Sequence, residues 1–339
     1  MNKVKVVKFG GSSLADSKQF KKVADIIKAD PERRFVVASA PGKRYSDDIK
    51  ITDMLYGCYD KAAKGGNFDK EFDAIEARFN SIISELGLTL SLEDEFNNIK
   101  DAFAHRAGRD YAASRGEYLN SIVLANYLGY EFIDPAGYIF FDESGSFDLD
   151  KTLDALKPKL ETVSNAVIPG FYGATEDGKI KLLDRGGGDI TGAIVAQCLG
   201  ADLYENWTDV SGFLTADPRI VDNPKSISRI TYAELRELSY MGASVLHEEA
   251  IFPVKDAGIP LVIKNTNAPD DPGTVISEET EPGVAEPLIT GIAGKKDFIA
   301  IHVKTNHMSS KVGYIRKTLS IFERYRVSIE HIPTGIDSF

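Results

Sequence analysis

Cysteine is scarce in this chain, which has Cys58 and Cys198 and no others among its 339 residues. Two cysteines without a CxxC spacing supply neither a disulfide framework nor a zinc site, so we expect a reducing, cytoplasmic location. The five histidines form no HxxxH or HExxH pair, and we therefore predict no histidine-built metal centre. No apolar run approaches the about 18 residues of a membrane-spanning helix, and the chain opens on a charged, strand-like segment.

Positive charge is also in deficit, because 40 Lys and Arg residues face 51 Asp and Glu residues for a net charge of −11. Such a field repels nucleic acid and anionic membrane, so we expect neither as a partner. A polyphosphate ligand would need a local pocket of cations or backbone amides. Hydrophobic residues at 43% and charged residues at 27% are ordinary for a globular protein. The length favours a large domain with a smaller one beside it.

What is present is an alternation of apolar strands and amphipathic helices. Val4–Phe9 is followed by a glycine turn, by apolar residues at helical spacing and by a second strand at 35–38. Further strands are predicted near 132–133, 166–168, 203–207 and 261–263, with helices over Asp189–Leu199 and Tyr232–Phe252. This order predicts an open, mostly parallel α/β sheet. Residues 68–128 have only a helical period, typical of a layer that covers the sheet or of a lobe over a substrate pocket.

The C-terminal part has a different composition. Residues 277–287 are acidic and contain two prolines and a glycine, which indicates an exposed linker. Beyond it, strands are predicted at Phe298–Val303 and Val327–Ile332, with a helix carrying apolar residues at 312, 315, 319 and 322 between them. That pattern predicts a βαβ unit of about fifty residues, too small to bury much core alone.

The segment Lys8–Ser13, KFGGSS, lies at the end of the first strand. Two glycines there allow the backbone to approach a phosphate, and the amides of the next turn can point at an anion. A lysine at the end of a strand supplies a positive charge for phosphate oxygens. A tight strand-to-helix turn with a surface lysine explains the same letters equally well. Neither GxxxxGK[ST] nor GxGxxG occurs in the chain.

Three more segments carry polar residues suited to ligand binding. RGGGD, at 185–189, places three glycines before a helix; Arg185 can grip a carboxylate, and Asp189 is either an active-site residue or a helix N-cap. Residues 207–219 follow a strand end, where α/β sheets bind ligands, although two simple turns also fit. In SRGE, at 114–117, Glu117 is either an acid for an ammonium group or a helix-start carboxylate.

Taken together and in this order, the segments resemble the aspartate kinases of the amino-acid kinase family. The resemblance covers nearly the whole chain and is carried by these segments: KFGGSS, Ser39–Gly42, Ile51–Asp53, SRGE, Gly170–Gly173, RGGGD, WTDVSGF with TADPR, and Gly242–His247. It implies a doubly wound, mostly parallel α/β sandwich at 1–282, with a substrate side of about 1–165 and a nucleotide side of about 166–277. It also implies a partial ACT-like regulatory domain at 288–339.

The resemblance further implies ATP-dependent phosphorylation of the β-carboxylate of L-aspartate to 4-phospho-L-aspartate, the first step of lysine, threonine and methionine biosynthesis. Mg²⁺ would be held mostly by phosphates and water, so no protein residue is predicted as its ligand. A homodimer or higher homo-oligomer is expected, together with an end-product amino acid, lysine or threonine, as a possible effector. We expect the effector to bind near Met308, Ser309, Ser328 and Glu330. Because the chain stops at Phe339 without a further strand, we expect an incomplete regulatory module.

The family's site residues map onto this sequence as follows. Lys8 would stabilise the transferring phosphoryl group together with the amides of Gly10 and Gly11, and Asp189 would orient Lys8. The aspartate substrate would lie among Ser39, Thr52, Glu117, Phe171, Arg185 and Gly188. The nucleotide would contact Lys8, Gly10, Gly11, Ser12, Thr208, Asp209, Leu214, Asp217, Arg219 and Ser244.

The chain departs from the family pattern at three of these positions. Ser244 stands where a lysine is usual, Gly188 where a serine is usual, and Leu214 where a tyrosine is common. We expect lower substrate affinity or compensation from these changes, because the Lys8–Asp189 core is intact. Two alternatives stay open: another amino-acid kinase, such as a glutamate 5-kinase, an acetylglutamate kinase or a uridylate kinase, and an amino-acid sensor without catalysis.

Overall fold

The computed structural model describes residues 3–183, 186–242, 246, 251–279, 288–294 and 296–339. The chain divides into two compact units, Met1–Ala293 and Gly294–Phe339, which we call the first unit and the second unit.

The first unit contains two sheets. Its strands are β1 (Lys5–Phe9), β2 (Arg33–Ala38), β3 (Glu131–Phe132), β4 (Phe140–Phe141), β5 (Phe147–Asp148), β6 (Ala166–Pro169), β7 (Tyr172–Thr175), β8 (Ile180–Leu182), β9 (Leu203–Thr208), β10 (Arg229–Thr231), β11 (Leu261–Asn265) and β12 (Thr274–Ser277). The larger sheet has the order β10-β12-β11-β9-β1-β2-β6-β3, and the smaller one β5-β4-β7-β8. All strands of the larger sheet are parallel except β12 and β10, which run opposite to the others. This confirms the predicted mostly parallel α/β sheet.

Helices accompany the strands along the chain. They are α1 (Ser17–Lys28), α2 (Ile51–Ala63), α3 (Asp69–Glu85), α4 (Glu93–Ala104), α5 (Arg109–Leu128), α6 (Leu149–Glu161), α7 (Gly187–Leu199), α8 (Tyr232–Tyr240), α9 (Phe252–Asp256) and, in the second unit, α10 (Tyr314–Arg324). Helix α1 shows why such a segment is helical. The Asp16 side chain caps its first turn by accepting a hydrogen bond from the Gln19 amide, and its apolar residues face inward. The predicted helix 232–252 ends earlier, at Tyr240.

Two cores lie on the two faces of the larger sheet, because side chains alternate along each strand. On one face Phe9 and Trp207 pack with residues of α1 to α5. On the other face Val6 and Tyr204 pack with residues of α6, α7 and α8. The helical stretch predicted over 68–128 is confirmed as α3, α4 and α5. Of these, α5 contacts β2 and β6, whereas α3 and α4 pack on α2, and α4 also on α5.

In the second unit the predicted helix is confirmed as α10, but the predicted strands at 298–303 and 327–332 are not formed in the described residues 296–339. Short backbone pairing occurs elsewhere, since Val303 exchanges amide hydrogen bonds with Phe339. A strand needs a partner for its backbone groups. An alternating apolar pattern cannot supply that partner, and Ile299 is 87% exposed.

Both cysteines are buried and unpaired. Burial raises the pKa of the Cys58 thiol to about 11 and that of the Cys198 thiol to about 12, so both thiols are uncharged at neutral pH. Across the described ranges, no helix is both long and apolar enough to span a bilayer.

Candidate active site

The candidate site lies at the carboxyl edge of the larger sheet. Because β1, β2, β6, β9 and β11 are parallel, the segments that follow them meet at one edge. Open α/β sheets bind ligands at this edge. The sheet therefore brings together KFGGSS after β1, Ser39–Gly42 after β2, Gly170–Gly173 after β6 and the 209–221 loop after β9.

A lysine–carboxylate pair lies at the centre of this edge. Lys8 points from β1, and its Nζ lies 2.6 Å from Asp189 Oδ1 on α7. Both side chains are largely buried, at 12% and 15% exposure. The ion pair joins two segments that are far apart in sequence. It fits the prediction that Asp189 orients Lys8.

Asn206 joins this pair and was missed by the sequence analysis. Its Nδ2 donates to Asp189 Oδ1 at 2.9 Å, and its Oδ1 accepts from Lys8 Nζ at 3.4 Å. Asn206 is opposite Lys8 in the register of β9 and β1. The signal in the sequence is its alternation with Trp207, which puts Asn206 on the face that carries Lys8.

The KFGGSS turn has a different geometry from the one predicted. The Gly10 amide donates to the Trp207 carbonyl at 3.0 Å, so it is not available to a phosphate, and that part of the prediction is wrong. A Cβ at Gly11 would lie 2.9 Å from the Ala40 carbonyl, and one at Gly42 would lie 2.6 Å from the Gly11 carbonyl carbon. These glycines are required because the two loops pack backbone to backbone.

Serine side chains in the same turn differ in what they can do. Ser13 is buried, and its hydroxyl lies 2.7 Å from Thr266 Oγ1 on the segment after β11. Ser12 is half-buried, and no side chain caps the short 3₁₀ helix Gly11–Leu14 that contains it. The amides at the start of this helix are therefore the donors that the turn offers to an anion.

The start of α7 is a second group of backbone donors. Gly186 precedes the helix with φ 82°, and no side chain caps the helix. Asp189 lies within the first turn and its amide donates to the Gly186 carbonyl at 2.7 Å, so the N-cap alternative for Asp189 is wrong. Uncapped amides and the helix dipole favour an anion at this end. Arg185 lies outside the described residues.

Glu117 lies in the middle of α5, so the helix-start alternative is also wrong. It is buried, and its Oε2 has no hydrogen-bond partner among the described residues. Desolvation raises the pKa of the Glu117 carboxyl to about 7, although the backbone amide of Ala40 opposes the shift. A buried carboxyl with one oxygen left without a donor is suited to bind an ammonium group.

The other predicted substrate residues surround the end of β2. The Ser39 carbonyl accepts from Asn120 Nδ2 at 2.7 Å, and Asn120, on α5, is a second residue that the sequence analysis missed. Thr52 lies in the first turn of α2 and is half-buried. Phe171 has φ 82°, an unusual value for a non-glycine residue. Its conformation is fixed because its amide donates to Thr191 Oγ1 at 3.0 Å.

Gly188 lies beside the lysine. A Cβ there would be 3.5 Å from Lys8 Cε and 3.5 Å from Ser39 Oγ, which is ordinary contact. The missing side chain is therefore not imposed by lack of space. A serine would place its hydroxyl among residues predicted to bind the substrate.

The predicted nucleotide residues lie on a more open loop after β9. Thr208 is half-buried, with its Oγ1 3.2 Å from Asp209 Oδ1, and Asp209 is exposed. Leu214 is 36% exposed. Asp217 accepts from Arg219 Nη2 at 2.6 Å, which lowers the pKa of the Asp217 carboxyl to about 2. Ser244 lies outside the described residues.

The predicted effector residues all belong to the second unit. Met308 begins a short 3₁₀ helix, Met308–Ser310, that includes Ser309, and Met308 is buried. Ser328 and Glu330 are exposed and lie in the segment that forms no strand. The effector site therefore stays a prediction.

No cluster of three or more His, Cys, Asp or Glu side chains suited to a metal ion occurs in the described part of the chain. Mg²⁺ prefers oxygen ligands and keeps several waters, and in phosphoryl-transfer sites it is commonly bound through substrate phosphates. That the metal arrives with the nucleotide stays a prediction.

A parallel α/β sheet with a lysine and uncapped helix starts at its carboxyl edge is typical of phosphate-binding proteins. Comparison with known proteins defines the class. Residues 3–265 match the amino acid kinase family. The sequence is 39% identical over 350 residues to aspartokinase 3 of Bacillus subtilis strain 168, covering 98% of this chain and 76% of that protein.

Solved structures agree with the sequence comparison. The aspartate kinase of Clostridium acetobutylicum is 55% identical with a TM-score of 0.94, covering 99% of this chain and 77% of that chain. Escherichia coli aspartokinase III, in complex with aspartate and ADP, is 26% identical with a TM-score of 0.77 over 99% of this chain and 77% of that one. The chain therefore belongs to the amino acid kinase family and, within it, to the aspartokinases.

Proposed function

We propose that this protein transfers the γ-phosphoryl group of ATP to the side-chain carboxylate of L-aspartate, with Lys8 and Asp189 at the centre of the site. We assign the central role to these two residues because they form a buried ion pair of 2.6 Å at the carboxyl edge of the sheet. The choice of aspartate and ATP as substrates is supported by a relative, E. coli aspartokinase III, whose structure contains aspartate and ADP. These relatives favour aspartate over the substrates of other amino-acid kinases.

The attacking group needs no general base. A β-carboxylate has an unperturbed pKa of about 3.9 and is already ionised at neutral pH. What the reaction requires is alignment of the two substrates and stabilisation of the charge on the transferring phosphoryl oxygens. Lys8 supplies a positive charge, and the uncapped amides at the starts of the 3₁₀ helix Gly11–Leu14 and of α7 supply further donors.

The substrate amino acid is held by the groups around the end of β2. The Glu117 carboxyl is buried and its Oε2 has no hydrogen-bond partner among the described residues, so an incoming ammonium group would supply a donor and a positive charge. Arg185 is proposed to bind the α-carboxylate, with Ser39, Thr52, Phe171 and Gly188 around the side chain. Thr208, Asp209 and residues 214–219 are proposed to contact the nucleotide. Mg²⁺ neutralises phosphate charge when it arrives with ATP.

A substitution of Lys8 tests the assignment. In a coupled assay of ADP release, Lys8→Ala is expected to lower kcat by about 1,000-fold or more, because one preorganised charge in phosphoryl transfer contributes on this scale. Lys21→Ala, on the exposed side of α1, is the control and should leave turnover unchanged. Near-normal kcat in Lys8→Ala, with a folded protein by circular dichroism, would refute the assignment. Release of ADP with glutamate but not with aspartate would refute the substrate.

We further propose that lysine regulates this activity through the second unit, near Met308, Ser309, Ser328 and Glu330. The support is a structure of E. coli aspartokinase III with lysine and aspartate, 26% identical with a TM-score of 0.78. Lysine at millimolar concentration should lower aspartate turnover in the intact chain, and Glu330→Gln should weaken that inhibition. Equal inhibition of both proteins, or inhibition by threonine and not by lysine, would reject this version of the proposal. The predicted homo-oligomer and cytoplasmic location stay predictions.

A further inference from the structure

The feature that leads beyond the proposed function is the amide of Asn206, which touches both members of the catalytic pair. It is 4% exposed and is opposite Lys8 on the neighbouring strand. Buried polar groups cost free energy unless they are hydrogen-bonded, and this amide satisfies both of its ends within the pair. Its Nδ2 reaches Asp189 and its Oδ1 faces Lys8.

The first consequence concerns Asp189. Its Oδ1 accepts from Lys8 Nζ at 2.6 Å and from Asn206 Nδ2 at 2.9 Å. Two donors on one oxygen fix the rotation of the carboxylate about its bond to Cβ. They also keep the second oxygen, Oδ2, out of both interactions. The backbone end of the same residue is held as well, because the Tyr204 hydroxyl donates to the Asp189 carbonyl at 3.1 Å.

The second consequence concerns the charge on Lys8. An ammonium group has three donors and no acceptor. One donor is directed to Asp189, and the Asn206 carbonyl, at 3.4 Å, orients the ammonium further without adding negative charge. One donor then remains for a phosphoryl oxygen. A carboxylate in place of this amide would orient the lysine equally well but would compete with the phosphate for its charge.

We infer that Asn206 is a positioning residue that fixes the Lys8–Asp189 pair with a neutral amide and so keeps the lysine charge available to the transferring phosphoryl group. The inference rests on the proposed role of Lys8 in phosphoryl transfer. It adds a requirement that the family resemblance did not include, namely that the third group of the site must be polar and uncharged.

A test based on pH must allow for Glu117, whose pKa burial raises to about 7, so each variant is compared with the wild type at the same pH. Within the described residues, the groups that face Asn206 or its neighbours are Lys8 on β1, Asp189 and Gly188 on α7, Tyr204 on β9, Ile263 on β11 and Ser39 after β2. Burial raises the pKa of the Tyr204 phenol well above its usual range, so it stays uncharged. Glu205 is on the opposite face of β9 and pairs with Arg33 at 2.8 Å, and Lys264 lies over the Trp207 ring on that face.

Two substitutions separate positioning from simple structural support. Asn206→Leu removes both hydrogen bonds and keeps the branched outline of the side chain, with methyl groups that are larger than the amide atoms. Asn206→Asp keeps the shape but adds a carboxylate beside Asp189. Two carboxylates in contact cannot both ionise easily, so one proton is retained to a higher pH than usual. When protonated, the new side chain donates a hydrogen bond as the amide does. Asn97→Asp, on the exposed side of α4, adds the same charge away from the site and is the control.

The expected result is a pH-dependent defect in one variant only. At pH 8.5, Asn206→Asp should have a kcat about 100-fold below the wild type, and the ratio to wild type should recover at least about 10-fold at pH 6. Asn206→Leu should lose about 10-fold in kcat at every pH, with the KM for ATP changed by less than about 3-fold. Asn97→Asp should follow the wild type.

The outcome that overturns the inference is equally specific. A deficit of Asn206→Asp that is constant from pH 6 to 8.5, or a kcat of Asn206→Leu within about 2-fold of wild type, would leave Asn206 without a positioning role. If circular dichroism shows that Asn206→Leu is unfolded, the pH series of Asn206→Asp still tests the positioning role. Failure of the proposed function would be distinct, because the wild-type protein would then release no ADP with aspartate.

Discussion

Helices α3 and α10 have similar amphipathic patterns but very different surroundings. In α3, Phe72, Ile75, Phe79 and Ile82 are at most 3% exposed, and they belong to one continuous core with α2, α4 and α5. In α10, no residue is buried, and Ile321 is 53% exposed. An apolar stripe is therefore sufficient to specify a helix, whereas burial needs a facing surface that the helix does not itself encode.

The same contrast separates the two candidate ligand regions. Lys8, Asp189 and Asn206 are positioned by three elements that pack on one another, and each polar group has a partner. Ser328 and Glu330 lie in an exposed segment without regular structure. Preorganised polar groups require a rigid surrounding core. The first unit has that core, so we expect substitutions in it to have larger effects than substitutions in the second unit.

After Lys8→Ala, the largest effect is expected from the carboxylate of the pair. Asp189→Asn keeps the size of the side chain but removes the charge that holds Lys8, so kcat should fall by about 100- to 1,000-fold with a small change in the KM for ATP. Steady-state kinetics with ATP as the varied substrate at saturating aspartate measures both constants. An Asp256→Asn variant on α9, where the side chain is exposed, should behave as the wild type. Equal kinetics for the two variants would remove Asp189 from the mechanism.

A second prediction concerns the buried acid, where stability and binding should change in opposite directions. Glu117→Gln should raise the KM for aspartate by about 10- to 100-fold, because a charge-assisted hydrogen bond to the ammonium group is lost. It should also stabilise the ligand-free protein. Burial raises the pKa of Glu117 in the folded protein to about 7, above its ordinary value of 4.5, so the folded protein binds the extra proton between these pH values and loses stability as pH rises through them.

The pH dependence provides the measurement. Urea unfolding should show Glu117→Gln to be more stable than the wild type by about 3 kcal/mol at pH 8 and by less than about 1 kcal/mol at pH 5. Glu93→Gln at the exposed start of α4 serves as the matched control and should show no such trend. A difference that grows towards low pH would have the wrong sign and would exclude a buried ionised Glu117 as its cause.

A pair of identical substitutions tests the comparison of the two helices directly. Ile75→Ala in α3 should lower the free energy of unfolding by about 2–5 kcal/mol, because it removes buried methyl groups and leaves a cavity. Ile321→Ala in α10 should change it by less than about 0.5 kcal/mol. Denaturant titrations of both variants are the measurement. Similar losses in the two helices would mean that the face of α10 that carries Ile321 is covered in solution.

The smallest effect is expected at the glycine beside Lys8. Gly188→Ser fits without displacing a neighbour, because its Cβ would make ordinary contacts at 3.5 Å. One added hydrogen bond to the substrate is equivalent to about 1 kcal/mol, so the KM for aspartate should fall by about 3- to 10-fold while kcat changes little. Gly57→Ser on α2, where a Cβ meets nothing within 4 Å, is the control. A raised KM in Gly188→Ser would show that the glycine is required for space.

The sequence by itself determined the elements and their order. Apolar periods identified β1, α1, β2, the helices between 69 and 128 and α7, because the burial of one face leaves a pattern in the chain. The order of the short motifs identified the family and, through it, Lys8 and Asp189 as a pair. Residue types alone also showed that Glu117 was a candidate acid.

Only the tertiary structure decided what each polar group contacts. The Gly10 amide donates to the Trp207 carbonyl, the glycines at 11 and 42 let two loops pack backbone to backbone, and Asn206 completes the pair from a neighbouring strand. These contacts join residues that are far apart in sequence, and a local pattern carries no information on such pairings. The prediction of strands in the second unit was wrong for the same reason, because a strand forms only when a neighbouring segment pairs with its backbone. Periodicity is a local property, whereas hydrogen-bond partners and burial depend on the whole fold.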